Sequence, residues 1–483
     1  MIFTTRLYQI IVILTKQYKT IENIKINMII LKNINIKSAL LLLMIAIAVY
    51  SSISCASSPA GYGKVDNAVE QDDFSLAVEQ IKKGQEGNVV IYPEKNVISL
   101  YLDKGLLEHY AGNYAQSSED LQNAERLIEE AYTKSISQGF LTYIINDNTR
   151  DYPGEDFENI YLNIFNALNY YNRGNIEGAL VEIRKLSMNS GKLDLLARRY
   201  DYRDPETGYS LSEKINKDTG VRQMPETKSV NFSNSALARF LCALFYQADG
   251  NEDSARIEFE QIPRAFSANT NLYRHRIPFA IEQAQNVPEG KVRLNVLTFT
   301  GLSPVKEEQL ILHDLPFRHP VLQITSLKLP VLIERPNKIT RVEVIVEGEE
   351  SFNLELLEDI GLVIQETYNA RFSNILLKTY IRTIIKYTVA DIAAMEVSRS
   401  QNELAGLLVA ISARVALDAS ERADIRMSRY LPSKSYIGGI NLDPGTYSVI
   451  INYYSGNNII TYEQKDVTVS LNGLNLLQTI KLK

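Results

Sequence analysis

The sequence predicts an α-rich multidomain protein of the α plus α/β class: helical hairpins come first, a mixed α/β domain follows, and a small antiparallel sheet ends the chain. Apolar residues recur at helical spacing between Gly- and Asp-containing turns in the first half of the chain. After Pro288 they alternate in short runs, and near the C-terminus they alternate again between turns. The predicted segments are a leader at 1–54, a linker at 55–65, and domains at 66–288, 289–430 and 431–483.

The leader has the layout of an export signal. Lys32 and Lys37 form a positive region, residues 39–50 form an apolar core, and small serines lead to Cys55. Because residues 1–27 fit no part of this layout, Met28 is the predicted first residue. A plain secretory signal and a retained membrane helix are the alternatives. The apolar run is shorter than the roughly 18 residues that a membrane-spanning helix needs, which disfavours the second alternative.

A cleavage site that ends in cysteine resembles the lipobox of bacterial lipoproteins, although Ser52 stands where that family usually has leucine. The resemblance implies that the Cys55 thiol is diacylated before the leader is removed. Two or more acyl chains hold a protein stably on a membrane. Ala56, in place of aspartate, follows the cysteine. The family's sorting rule then implies the periplasmic face of the outer membrane, or otherwise the extracytoplasmic face of the cell membrane.

The charge balance argues against nucleic acid as a partner. The leader holds six of the 51 Lys and Arg residues and one of the 57 Asp and Glu residues, so its removal leaves 45 basic and 56 acidic side chains. Affinity for nucleic acid comes largely from neutralising phosphates, which an acidic chain does poorly. If Cys55 is acylated, Cys242 has no partner for an internal disulfide. Cys242 lies among apolar residues, which predicts an inert thiol in a helical core.

Four turns in the first half are each followed by a helical pattern with small and apolar residues at the same offsets. The turns lie at Asp72, Gly112, Gly174 and Gly250. A small residue also lies seven positions before each of the three glycines. Small residues at such positions let two antiparallel helices approach closely. The predicted packing and turn residues are Gly105, Gly112, Ala167, Gly174, Ala179, Ala243, Gly250 and Ala255.

This arrangement resembles the tetratricopeptide repeat, a helical hairpin of about 34 residues. The turns here are 40, 62 and 76 residues apart. Polar insertions are therefore predicted between the hairpins, at 138–155 and 201–231. The resemblance implies a curved groove, and helices at 102–110 and 162–171 are predicted to line it.

The second half is predicted to contain strands on either side of a long helical region. That helical region extends from Asn353 to Arg426, because its apolar residues form a stripe at helical spacing. The C-terminal runs are read as a small antiparallel sheet. The predicted strands are 292–298, 321–327, 331–333, 342–346, 448–454, 459–463, 467–470 and 476–482.

Several strings resemble, in the same order, an uncharacterised family of bacterial lipoproteins with tetratricopeptide-like N-terminal halves. The resemblance covers roughly residues 65–450 and is carried by the strings at 151–158, 167–184, 301–308 and 421–426, followed by Leu431-Pro432. It implies an architecture and a location, and it supplies no catalytic residues. The strands around 442–447 are also similar to a small surface module named for a Pro-Glu-Gly-Ala motif.

The segment from Asp151 to Glu158 holds four carboxylates beside Arg150 and Tyr152. Paired acids support general acid/base catalysis when burial separates their pKa values. Glu155 and Asp156 also suit the first turn of a helix that runs to Tyr171, where acids stabilise the helix dipole. We prefer this helical interpretation.

No metal, cofactor or catalytic residue is predicted. His313, Asp314 and His319 lie close together in sequence, but no partner cysteine or Glu-rich helix accompanies them, and zinc sites usually need three or four ligands at tight spacing. The segment at 61–64 lacks the first glycine and the hydroxyl residue of a phosphate-binding loop, and the sequence has no Gly-x-Ser-x-Gly motif.

Charged residues at 421–426 are predicted to lie at the end of the long helix, with acids and bases on adjoining faces. Two interpretations are open, an interface with a partner and an internal brace between the helical region and the terminal sheet. We prefer the brace, because the sheet has to dock close to Leu431.

The preferred function is a membrane-anchored scaffold or envelope assembly and maintenance factor, whose groove binds a protein or peptide of the cell envelope. One alternative is an envelope hydrolase or transferase that uses the carboxylates near Glu155 and Glu158. The other is a carbohydrate-binding accessory factor with tyrosines as sugar platforms. No recognisable nucleophile or metal set supports an enzyme, and the tyrosines are dispersed along the chain.

Overall fold

The computed structural model describes residues 61–86, 90–136, 151–188, 234–313, 325–372, 375, 379, 395–399 and 422–483. The leader, Cys55, Asp314, His319, Glu421 and most of the two predicted insertions lie outside the described residues. Among the helices that are described, none is long and apolar enough to cross a membrane.

Helices pair into hairpins in the first half of the chain, as the sequence predicts. α1 packs against α2, α3 against α4, α5 against α6, and α7 against α8, and a short α9 leads into the sheets. The bounds are α1 Gly63–Glu70, α2 Phe74–Glu86, α3 Val97–Tyr110, α4 Tyr114–Ile136, α5 Asp156–Asn172, α6 Ile176–Met188, α7 Ala236–Ala248, α8 Glu252–Ala268 and α9 Phe279–Gln285.

The hairpin turns lie at the four predicted positions. Gly112, Gly174 and Gly250 adopt left-handed backbone conformations with φ of 80°, 71° and 72°, and Asp72 does the same with φ of 56°. After α3 the amide of Asn113 donates to the carbonyl of Glu108 at 2.8 Å, so the last turn of the helix is closed. Glycine is favoured at such helix ends because it has no Cβ to clash.

The predicted small residues lie between packed helices. A Cβ on Gly105 would come within 2.7 Å of the Leu121 side chain, so α3 and α4 touch at a position where a larger residue would require Leu121 to shift. Ala167, Ala179 and Ala243 are fully buried. Ala255 on α8 is 2% exposed. These positions therefore set how closely the helices of each hairpin approach.

The strands form two four-stranded sheets and a two-stranded ribbon. The first sheet has the order β10-β1-β7-β6, the second has the order β5-β4-β8-β9, and β2 pairs with β3. The bounds are β1 Val292–Leu302, β2 Val305–His313, β3 Thr325–Ile333, β4 Arg341–Val346, β5 Phe352–Asn353, β6 Glu355–Asp359, β7 Pro432–Leu442, β8 Gly445–Ser455, β9 Asn458–Val469 and β10 Leu476–Lys481.

The predicted boundary between a mixed domain at 289–430 and a separate module at 431–483 is wrong. β1 pairs on one side with β10, in parallel, and on the other side with β7, while β8 pairs with β4. β1 is buried along Val292–Gly301, so both of its edges need hydrogen-bonding partners inside the protein. The C-terminal strands supply those partners, and the predicted purely antiparallel sheet does not form.

The predicted start of the long helix at Asn353 is also wrong. Residues 352–359 form β5 and β6, and the helix, here named α10, occupies 360–372 of the described chain. Leu354 joins the core between the two sheets, whereas Leu357 joins the core against the helices. An extended chain with a bulge in β6 reaches both cores. The Asp359 carboxylate then accepts the Leu362 amide at 2.9 Å, which caps α10.

The largest core joins the helices to the first sheet. Residues of α3, α5 and α7 share one apolar cluster with Leu297, Phe299, Ile437 and Leu476. On α5, every residue from Ile160 to Asn169 is buried. A second cluster fills the space between the two sheets.

The predicted open groove along 102–110 and 162–171 is therefore occupied by the chain's own strands. The Tyr171 hydroxyl donates to the Leu474 carbonyl at 2.8 Å and accepts the Leu476 amide at 2.9 Å. The Gln478 amide nitrogen lies 2.7 Å from the His109 ring nitrogen Nε2. A peptide could not enter this space, because β10 and the loop before it already fill it.

Candidate functional site

The acids at the start of α5 lie in a buried ion-pair network. Glu155 is the residue before the first turn, and Asp156 and Glu158 are in that turn. β2, α10 and the extended segment 422–431 approach them from three other parts of the chain. The helical interpretation of these acids is correct in position, but their partners are cations and amides distant in sequence.

Glu155 is held by two cations. Its carboxylate pairs with the Lys306 ammonium and with the Arg371 guanidinium, and the same guanidinium pairs with Asp156. The side chains of Glu155, Lys306 and Arg371 are only 12%, 7% and 13% exposed. Burial alone would raise the pKa of Glu155, but the charges of Lys306 and Arg371 hold it below its ordinary value.

Glu158 is buried more deeply, with 1% of the residue exposed. One carboxylate oxygen accepts the Tyr152 hydroxyl at 2.8 Å and the Glu155 amide at 2.7 Å, and the other accepts the Ser428 amide. Burial, followed by the negative charge of Glu155, raises the pKa of Glu158 to about 7. A pKa near neutrality is a feature of catalytic acids, so the accessibility of this group decides its role.

A second buried carboxylate, Asp103 on α3, continues the network. It accepts the Tyr92 hydroxyl at 2.6 Å, the Ser428 hydroxyl at 2.9 Å and the Arg429 amide at 2.6 Å. Burial raises the pKa of Asp103 to about 6. The Arg429 guanidinium in turn pairs with Asp66 on α1 at 2.6 Å. The segment 422–431 thus ties α1, α3 and α5 to the strand that follows it.

The segment 422–426 is extended rather than a helix end, so the prediction of acids and bases on helical faces is wrong. The Arg426 guanidinium binds the nearby Asp424 carboxylate at 2.8 and 2.9 Å and donates to the Lys95 carbonyl at 3.3 Å. The central carbon of the Arg426 guanidinium, Cζ, lies over the Tyr152 ring, 5.3 Å from the ring centre. These internal contacts agree with the brace interpretation. The amides of Ala423 and Arg426 donate to the carboxylates of Glu308 and Asp424 instead of to the carbonyls of a helix.

A third buried carboxylate, Glu358 on β6, joins the helices to the first sheet. It accepts the hydroxyls of Tyr161 at 2.8 Å and Tyr273 at 2.6 Å, and that of Ser235 at 2.9 Å. The Leu237 amide also donates to it at 3.3 Å. Burial raises the pKa of Glu358. The donors come from α5, from the start of α7 with its N-cap residue Ser235, and from the loop after α8, so this side chain locks β6 onto the helical region.

A cavity of about 60 Å³ lies beside the network, and its lining includes Tyr62, Ser99, Lys306, Arg426 and Arg429. A water needs about 10 to 15 Å³ by this measure, so the cavity has room for a few waters and not for a sugar or a peptide. Glu155 and Glu158 do not line it. The three lining cations are already paired with Glu155, Asp424 and Asp66.

The sequence interpretation missed Asp103, Glu358, Lys306, Arg371 and Ser428 as parts of this network. A usable signal was present for the first two, since each is an acid within an apolar stretch, where an unpaired charge is costly. Among the described residues no group of three or more His, Cys, Asp or Glu side chains could hold a metal ion. Cys242 is fully buried, and burial raises the pKa of its thiol.

Comparison with known proteins adds no relative to this picture. No family model matches the chain, and no curated protein is significantly similar to it.

The raised pKa of Glu158 predicts a pH-dependent contribution to stability. Because the pKa is about 7 in the folded chain and ordinarily 4.5, the folded state binds the proton more tightly. Stability from this group is therefore present below pH 4.5 and is lost as pH rises to 7, by on the order of 3 kcal/mol. In Glu158→Gln this titration is removed. We expect the free energy of unfolding of wild type, relative to Glu158→Gln, to fall by about that amount between pH 4.5 and 8.

Urea denaturation at a series of pH values measures this difference. His109, whose pKa burial lowers to about 4, is present in both proteins, so its opposite pH dependence cancels. Glu177→Gln, at an exposed first-turn acid of α6, is the matched control and should give a profile parallel to wild type. Parallel profiles for wild type and Glu158→Gln would show that Glu158 has an ordinary pKa.

Proposed function

We propose that this protein is a lipid-anchored extracytoplasmic scaffold that binds a protein or peptide partner in the cell envelope. The sequence up to Cys55 supports the export and the anchor. The observation that carries the scaffold role is the use of the buried carboxylates Asp103, Glu155, Glu158 and Glu358. Each is bound by donors or cations from other elements of the chain, which is an arrangement that holds a body together.

The likeness to tetratricopeptide proteins is part of this proposal. Four helical hairpins, left-handed turn residues at their ends and small residues between their helices support it. The first helices of the hairpins, α3, α5 and α7, are here called the inner helices. They do not line the expected open groove, because their apolar faces are covered by β1, β7 and β10. A partner therefore binds outside the groove, on the surface of the second helices or of the sheets.

The two rival functions have less support. An envelope hydrolase using Glu155 and Glu158 would need these acids to reach a substrate, and Glu155 is enclosed by two cations while Glu158 is 1% exposed. A carbohydrate-binding factor would need exposed aromatic platforms. Tyr462 is the one exposed tyrosine among the residues whose side-chain exposure the structure describes, and no second exposed tyrosine there forms a paired platform with it.

Lipidation at Cys55 is the sharpest test of the anchor. We expect labelled palmitate to be incorporated into the wild-type protein, and Cys55→Ser to abolish the label and release the protein from membranes, because two or more acyl chains anchor stably. Cys242→Ala is the matched control, since Cys242 is buried, and it should keep the label. Wild-type protein found unlabelled in the soluble fraction would contradict the anchor.

The scaffold role itself is tested by crosslinking the lipidated protein in intact membranes and identifying what co-purifies. We expect a defined protein partner to be lost with Cys55→Ser, which moves the protein away from the membrane. Recovery of the same partner with the released variant would show that binding does not need the anchor.

A further inference from the structure

β9 is an exposed edge strand. It covers Asn458–Val469 and, within the part of the chain that the structure describes, pairs only with β8. Its side chains include Ile459 at 53%, Ile460 at 43% and Tyr462 at 64% exposure. Long edge strands with exposed apolar residues are usually shielded, because their unpaired amides and carbonyls accept another strand. Within the described chain, β9 thus leaves one row of backbone amides and carbonyls open to a further strand.

The charges on β9 indicate what that strand is. Glu463 and Lys465 are two residues apart, so they lie on the same face of the sheet. Within one chain the Lys465 ammonium lies 3.2 Å from the Glu463 carboxylate. Ile460 is an extra residue at a bulge, since Tyr453 pairs with Thr461 and Tyr454 pairs with Ile459. The regular part of the edge therefore begins at Thr461, and the two charges lie near its middle.

A second copy of β9 can pair antiparallel with the first in few registers. Residues that point their amides outward have to face each other, so in a symmetric pair the two-fold axis passes through a residue and not between two residues. An axis at Glu463 places two carboxylates directly opposite each other, and an axis at Lys465 does the same with two ammonium groups. Both arrangements are repulsive. An axis at Gln464 instead places each Glu463 opposite the Lys465 of the other copy.

We propose that β9 pairs with β9 of a second copy of this chain, antiparallel and with Gln464 on the two-fold axis, so that the two β5-β4-β8-β9 sheets become one continuous sheet. Two Glu463–Lys465 pairs form across the interface. Tyr462 lies beside Asp466 of the other copy, and Thr461 lies opposite Val467. The same pattern of charges that selects this register rejects its neighbours.

Charge reversal tests the proposal, with the full chain in detergent and sedimentation equilibrium as the measurement. We expect a dimer for wild type, and a rise in the dimer Kd of about tenfold for Lys465→Glu, since two attractive pairs become repulsive. Lys465→Glu combined with Glu463→Lys restores both pairs and should restore the Kd. Lys64→Glu, at an exposed position of α1, makes the same change in net charge and should leave the Kd unchanged. A monomeric wild type, or a double variant as weak as Lys465→Glu, would overturn the proposal.

Cysteine crosslinking tests the register. With Gln464 on the axis, Gln464→Cys places the two thiols on residues whose Cα atoms are about 4.5 to 5.5 Å apart, which a disulfide spans. Two copies of Tyr462→Cys lie about 14 Å apart, beyond the reach of about 7 Å. We expect a covalent dimer from the first variant and none from the second. Equal crosslinking by both variants, or crosslinking by Tyr462→Cys alone, would rule out this register, and a strand from another protein would give no crosslink in either variant.

Discussion

Leu168→Asp is expected to unfold the protein. Leu168 lies on the inner helix α5, is fully buried, and belongs to the core that joins the helices to the first sheet. A carboxylate at this position loses its hydration without gaining a partner, and the loss of the leucine leaves the core unfilled. We expect a loss of more than about 4 kcal/mol in the free energy of unfolding, which is a large part of the total free energy of unfolding of an ordinary domain.

Val181→Asp is the matched control. Val181 lies on α6, the second helix of the same hairpin, and is 49% exposed. A charge there stays in water, so we expect a change of no more than about 0.5 kcal/mol. Soluble abundance and the thermal midpoint of the two variants give the measurement. If Leu168→Asp were abundant, melted like wild type and failed only to capture a partner, the inner helices would line an open groove.

Glu155→Ala has the second largest expected effect. It leaves the Lys306 ammonium and the Arg371 guanidinium buried beside α5 without the carboxylate that both of them contact. Breaking a buried ion pair on one side costs about 3 to 5 kcal/mol, because the remaining charge is uncompensated. Asp156 still contacts Arg371, so we expect the lower end of that range.

The comparison for Glu155→Ala is Glu177→Ala, at an acid in the first turn of α6. Glu177 is exposed, and its interaction with the helix dipole contributes only about 0.3 to 1 kcal/mol. Urea denaturation of both variants at neutral pH measures the difference. A Glu155→Ala protein as stable as wild type, with loss of function in the cell, would favour the enzyme interpretation over the scaffold.

Local signals made the hairpins predictable. Gly112, Gly174 and Gly250 interrupt helical patterns at points where a left-handed residue is needed, and that requirement is a property of a few consecutive residues. Small residues seven positions earlier have to lie at the helix contact, because helical geometry places them there. The same reasoning correctly placed Glu155 and Asp156 at the start of α5.

Strand pairing and the buried network were not predictable in this way. The parallel partner of β1 lies at 476–481 and its antiparallel partner at 432–442, far along the chain. Alternation in a strand specifies which face is buried and says nothing about which strand lies beside it. Lys306 and Arg371 are 151 and 216 residues from Glu155, so no spacing in the sequence joins them.

The error at 353–359 has a related cause. Leu356 and Ile360 fit a helical stripe, and the sequence alone favours a helix that includes both. Pairing of β6 with β7, together with the hydrogen bonds to Glu358, stabilises the extended chain instead. Tertiary contacts outweigh propensities that amount to a few tenths of a kcal/mol per residue.

The sequence by itself determined the helical hairpins, their turn and packing residues, and the order of helices before strands, because each depends on residues within one or two turns of chain. The tertiary structure alone decided that the last strands complete the sheet around β1, that this sheet fills the space beside the inner helices, and that the acids of α5 are ion-paired rather than exposed. These outcomes depend on burial and on contacts between distant residues, and the free energy that selects them arises only when the whole core is assembled.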